Sequence, residues 1–166
     1  MNNTSLLSLA IWVPILGALP VLLAGSDRRN LARGLALVVA VLGFLVTLPL
    51  YTDFDTRQAG MQFVERYPWI PSFRITYFLG VDGISVLFLL LNSFITILVV
   101  LAGWQVIQQK TAQYMAAFLV MSGLMNGIFA SLDAMLFYFF FEASLIPMYI
   151  IIGVWGGPNR VYAAFK

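Results

Sequence analysis

The stretch that decides the fold is Asp133 to Gly157, DAMLFYFFFEASLIPMYIIIGVWGG, an apolar run interrupted by one charge, Glu142, and one proline, Pro147. A membrane helix needs roughly 20 apolar residues to cross about 30 Å of hydrocarbon, and this run supplies them. Asp133 is placed to cap the helix at one interface, and Gly156-Gly157-Pro158 ends it at the other. Glu142 follows Asp133 by nine residues. At ~1.5 Å of rise per residue its carboxyl sits about 13 Å deep, close to the bilayer midplane. An acidic residue at that depth costs roughly 2.5–3.5 kcal/mol on insertion scales, so it is expected to face protein or water and to have a task. Loss of water favours the neutral carboxyl, and a nearby cation would favour the ionised one. Glu142 is therefore expected to handle a proton; the structural alternative is a neutral carboxyl bonding a neighbouring helix. Pro147 leaves the Ala143 carbonyl without its helical donor. With Ser144 beside it, that carbonyl is expected to hold water at a kink.

The rest of the chain has the same character. Of its 166 residues 61% are hydrophobic and only 10% charged, against roughly 25% charged in a soluble domain. The class is polytopic helical membrane protein. The net charge of +2 gives no reason to expect a nucleic-acid partner. The absence of Cys and His excludes disulfides and Cys- or His-ligated metal, haem or iron–sulfur centres in this chain.

Five spans are expected, at about 6–24, 31–50, 83–104, 111–130 and 133–155. No Lys or Arg precedes the first, which is unlike a cleaved signal peptide. Pro14 and Pro20 lie inside it, as membrane helices allow. Pro49 and the polar stretch beginning at Thr52 are expected to end the second span. The segment 51–80 reads as an external loop. Its charges cancel, it carries Tyr67-Pro68-Trp69-Ile70-Pro71, and 73–78 alternates as a short strand of a hairpin. Asp82 opens the third span, expected as a cap with Ser85 three residues on, the alternative being a water-accessible ionisable site. The fourth span has small residues Ser122, Gly123 and Gly127 suited to close helix contact, and Asn126, a polar group expected either to donate to a neighbour or to serve in packing. Phe137 to Phe141 reads as lipid-facing or core packing. With the N-terminus outside, Arg28, Arg29, Arg33, Lys110, Arg160 and Lys166 fall on one side and Arg57, Arg66 and Arg74 on the other. That asymmetry fits the positive-inside rule. Glu142 is then the one charge in the hydrocarbon, with no Lys or Arg at its depth to pair with it.

FYFFFEASLIPMYIIIGVWGG, NRVYAAFK and PWIPSFRITYFLGVDGIS together resemble the antiporter-like M subunits of proton-pumping NADH:quinone oxidoreductase, respiratory complex I. The resemblance covers nearly the whole chain. FEASLIPMY favours M over the related L and N subunits, and subunits of multisubunit cation/proton antiporters are similar too. The resemblance implies a bundle of about fourteen helices with paired inverted repeats, of which this chain would be the N-terminal part. It implies that Glu142 is the essential glutamate of the fifth helix, working with lysines on later helices beyond Lys166. It implies further that NADH, FMN, iron–sulfur clusters and quinone sit on other subunits, with no cofactor on this chain. The implied partners are neighbouring membrane-arm subunits and the lipid bilayer, in a bacterial cytoplasmic membrane. Two rival readings are a cation/proton antiporter subunit and a scaffold in which the glutamate only joins helices.

Overall fold

The computed structural model describes residues 5–166. Five long helices account for most of it: α1 (Leu6–Ala24), α2 (Arg29–Thr52), α3 (Ser85–Val106), α4 (Thr111–Ala130) and α5 (Ala134–Trp155), followed by a short α6 (Arg160–Phe165). All five are long and apolar enough to cross a membrane. Between α2 and α3 lies an antiparallel hairpin of β1 (Gln62–Ile70) and β2 (Ile75–Val81). The chain turns between its strands through a 3₁₀ turn at Pro71–Phe73, with Arg74 in the left-handed region at φ 57°.

Hydrogen bonds between connections show that the helices alternate in direction. At one end Ser26 Oγ donates to Gln113 at 2.7 Å, Arg29 to Gln108 at 3.1 Å, and the Trp155 indole to the Gln109 carbonyl at 2.9 Å. These contacts gather the end of α1, the start of α2, the α3–α4 connection and the end of α5. The hairpin gathers the opposite ends. Leu132 N–H donates to the Phe78 carbonyl at 2.8 Å, so the α4–α5 connection meets β2 in a single isolated bridge, Ser131 opposite Leu79.

Two apolar clusters fill the bundle. One lies toward the hairpin and includes Leu7, Ile11, Leu50, Leu79, Leu89, Leu136 and Phe140. The other is rich in alanine (Ala18, Ala32, Ala36, Ala40, Ala112, Ala116), with Met115 and Leu119 among them. Small side chains let helix backbones approach closely, which replaces the hydrophobic drive that lipid removes. A layer of hydroxyls and amides separates the clusters. Asn126 donates to the Ala10 carbonyl at 2.9 Å and accepts from Asn92 at 2.8 Å, while Thr96 donates to Ser122 Oγ at 2.7 Å. Ala10 is the residue whose carbonyl Pro14, four positions on, cannot satisfy. Asn126 supplies the missing donor.

Several boundaries differ from the sequence reading. α2 runs through Pro49 and ends at Thr52, two residues past the expected limit, because a proline in the last turn removes only one helical bond. The strand expected at 73–78 is found at Ile75–Val81, and its partner in the expected hairpin, to which no bounds were given, is β1. β1 holds Pro68 and shows a register irregularity between Gln62 and Glu65. Proline and bulges are tolerated on an edge strand but break the alternation by which strands are recognised. Of Phe137 to Phe141, Phe140 is buried in the core while Phe137, Phe139 and Phe141 are exposed.

Candidate functional site

α5 lies at the margin of the bundle. Its buried residues are Leu136, Phe140 and Pro147, with Ala143 packed against the same cluster, so a single stripe faces inward. Phe140 lies flat over Gly127 of α4, where an added Cβ would meet its ring atoms at 2.7–2.8 Å. At about 100° per residue, Glu142 points roughly 160° away from Phe140. It is exposed on the outer face of α5.

That face is not bare. Glu142 lines a cavity of about 760 Å³ walled by Tyr138, Ile146 and Tyr149 of α5 and by Trp69, Ile70 and Ile75 of the hairpin. The other residues around it are all uncharged. Trp69 closes the hairpin end with its ring edge-on to Phe139 at 5.4 Å. A carboxyl thus opens into an apolar, half-enclosed space. Nothing around it in the cavity is a cation.

The supporting residues are placed as follows. Pro147 is buried and α5 runs through it without a break. Its missing N–H leaves the Ala143 carbonyl, one residue from Glu142, without an intrahelical donor. The Ser144 hydroxyl donates to the Phe141 carbonyl at 2.7 Å and so is turned back onto its own helix.

Asp133 accepts from the N–H groups of Met135 and Leu136 at 2.9 and 3.1 Å, and its second oxygen takes the Thr76 N–H and hydroxyl at 3.3 and 3.2 Å. It caps α5 and ties it to the hairpin that walls the cavity. Partial burial pushes its carboxyl up, but the bonds from Leu136, Thr76 and Met135 outweigh this and hold it below the usual range. Asp82 accepts from Ser85 N–H at 2.8 Å and Ile84 N–H at 3.0 Å, while its own N–H donates to Ser85 Oγ at 2.9 Å. This is a reciprocal capping box. The Ser85 backbone bond, then the Ser85 hydroxyl, lower the Asp82 carboxyl against a smaller burial effect.

Glu65 and Arg33 have roles that the sequence did not disclose, and Asn126 makes the donation to a neighbour that was one of its two expected uses. Glu65, counted there as one of several cancelling loop charges, is buried and accepts from Ser8 N–H at 3.0 Å and Ser8 Oγ at 2.7 Å. It caps α1 from across the chain, so α1, α3 and α5 each start against a carboxylate at the hairpin end. Arg33 is buried near the start of α2, at the end of the bundle away from Glu142. Asn126 is the amide that completes α1 at Pro14. Pairings across 57 or 116 residues leave no local signal. Among the described residues, no three His, Cys, Asp or Glu side chains stand close enough to hold a metal ion.

No family model matches the chain. Individual proteins do. It is 48% identical over 98% of its length to NADH-quinone oxidoreductase subunit M of Rhodobacter capsulatus, and 41% identical over 96% to NADH-ubiquinone oxidoreductase chain 4 of Arabidopsis thaliana. Each match spans 32% of the relative. Among solved structures it superposes on a chain of respiratory complex I from Thermus thermophilus with bound NADH, with a TM-score of 0.78 and 31% identity, over 96% of this chain and 31% of that one. The chain is therefore homologous, over nearly all its residues, to about a third of the length of these subunits.

Proposed function

We propose that this chain, a homologue of the M and chain 4 subunits, is the N-terminal part of a membrane-arm subunit of a proton-translocating NADH:quinone oxidoreductase. It would be a non-redox subunit, with flavin, iron–sulfur clusters and quinone held elsewhere in the complex. The single observation that carries this reading is the 48% identity to an M subunit, sustained over 98% of the chain.

Within that reading Glu142 is the proton-handling carboxyl. The support is energetic. A carboxyl on a lipid-facing surface would cost roughly 2.5–3.5 kcal/mol with no return, yet Glu142 lies on the outer face of α5 in a cavity already walled by the hairpin. The account therefore places a further membrane segment against this face, and a cation on it. As the cation approaches, Glu142 is favoured ionised and its proton moves on; as it withdraws, Glu142 takes a proton. Water at the free Ala143 carbonyl would connect the pair to its surroundings. The hairpin end is the outer side, because Arg28, Arg29, Arg33, Lys110, Arg160 and Lys166 belong to the opposite end and basic residues favour the inside.

The alternative is a subunit of a multisubunit cation/proton antiporter. An affinity tag on the full-length subunit separates the two. Co-purification of NADH:quinone reductase activity, with NADH-driven proton uptake in inverted vesicles, is expected. Cation/proton exchange without any NADH-oxidising activity would contradict the proposal and favour the antiporter.

A further inference from the structure

The end of the bundle away from Glu142 contains a cation whose environment is incomplete. Arg33 is 8% exposed. One terminal nitrogen donates to the Ile107 carbonyl at 3.0 Å, the other reaches Asn30 Oδ1 at a long 3.4 Å, and Nε has no partner. Both acceptors are neutral. Burying a charge against neutral groups alone is costly, and arginine cannot relieve the cost by shedding its proton as lysine can. Arg29, one turn earlier, is also met by a neutral group, the side-chain oxygen of Gln108 at 3.1 Å. Two guanidiniums, Arg33 buried and Arg29 exposed, thus flank the end of α3, and among the described residues neither meets a carboxylate.

An apolar groove of about 460 Å³ begins beside them, lined by Leu37 of α2 and by Leu101, Ala102, Trp104, Gln105 and Val106 of α3. Leu37 stands one turn beyond Arg33 on the same face of α2, and Val106 directly precedes Ile107, the residue Arg33 binds. The groove and the unmet charge are neighbours at the level where α2 begins and α3 ends, with Trp104 where interfacial tryptophans collect. A free anion would satisfy the charge and leave the groove unexplained. A hydrocarbon chain alone would do the reverse.

We infer that this corner binds one anionic phospholipid, its phosphate on Arg33 and Arg29 and one acyl chain in the α2–α3 groove. Basic pockets between helices at a membrane surface are suited to such headgroups, and guanidinium matches phosphate in a paired geometry. The site is independent of Glu142 and of proton transfer.

The test uses the complete subunit in its purified, delipidated assembly, with thermal midpoint as readout. Phosphatidylglycerol is expected to raise the midpoint, and phosphatidylcholine or inorganic phosphate to leave it unchanged. Arg33→Gln should lose the rise. Leu101→Trp, which fills the groove and leaves both arginines intact, should lose it too, and it keeps the idea testable if Arg33→Gln fails to assemble. A rise retained in either variant, an equal rise from phosphatidylcholine or phosphate, or no rise in the unaltered protein would each overturn the assignment; the last would mean that a protein carboxylate meets the arginines instead.

Discussion

Asp133 does two jobs with its two oxygens: one caps α5, the other holds Thr76 of the hairpin. Its carboxyl lies below the usual range in the folded protein, as does that of Asp82. For such a group the stabilisation is fully present above its unfolded value near 3.9 and disappears as pH falls through the lower folded value. Both caps therefore work at any neutral pH and fail only in acid below about 4. Asp133→Ala should lower stability by about 1 kcal/mol, in the range of a lost N-cap, and should remove part of the acid sensitivity seen in a melting series from pH 6 to 3. An unchanged melting profile would count against the capping role. The two aspartates were legible because a cap sits next to the helix it serves. Glu65 was not, since its partner Ser8 lies 57 residues away and the bulge that turns it inward leaves no periodic trace.

Among the elements, α4 is the centre and α5 the margin. α4 presents Gly123 to the Ile11 backbone of α1 and Gly127 to the ring of Phe140 on α5, so its small residues serve two neighbours on two faces. The stripe could be read from the sequence, but its two-sided use could not, because helical periodicity says which residues share a face and not what covers it. Gly127→Leu should push Phe140 away and shift α5, moving Glu142 and its cavity together. The expected outcome is an assembled but poorly pumping subunit with raised proteolysis near Ser131–Asp133. Unaltered pumping and proteolysis would show that α5 is positioned by other contacts. The hairpin illustrates the converse. Trp69-Ile70-Pro71 was visible as an interfacial aromatic segment, but its place as a wall beside Glu142 depends on the Asp133–Thr76 and Leu132–Phe78 bonds.

In the whole molecule, five helices of spanning length were evident from composition alone, and their observed limits differ by only a few residues at each end. Charge at the two ends of the bundle is sorted. Carboxylates stand at the starts of α1, α3 and α5, and Arg29 and Arg33 at the end of α3. The acids complement the N-terminal dipoles of α1, α3 and α5, and Arg33 complements the C-terminus of α3 through the Ile107 carbonyl, whereas both arginines stand in the first turns of α2, where the dipole opposes them. The same sorting that stabilises the helices thus fits the orientation proposed here. The outer face of α5 is uncovered, and the function proposed here depends on the Glu142 carboxyl on that face. The direct test is Glu142→Gln in the complete subunit, measuring NADH-driven proton uptake and NADH-to-quinone turnover in the same inverted vesicles. The account predicts an assembled complex that loses proton uptake together with coupled turnover. Normal pumping in that variant would contradict it and leave Glu142 a carboxyl that only joins helices.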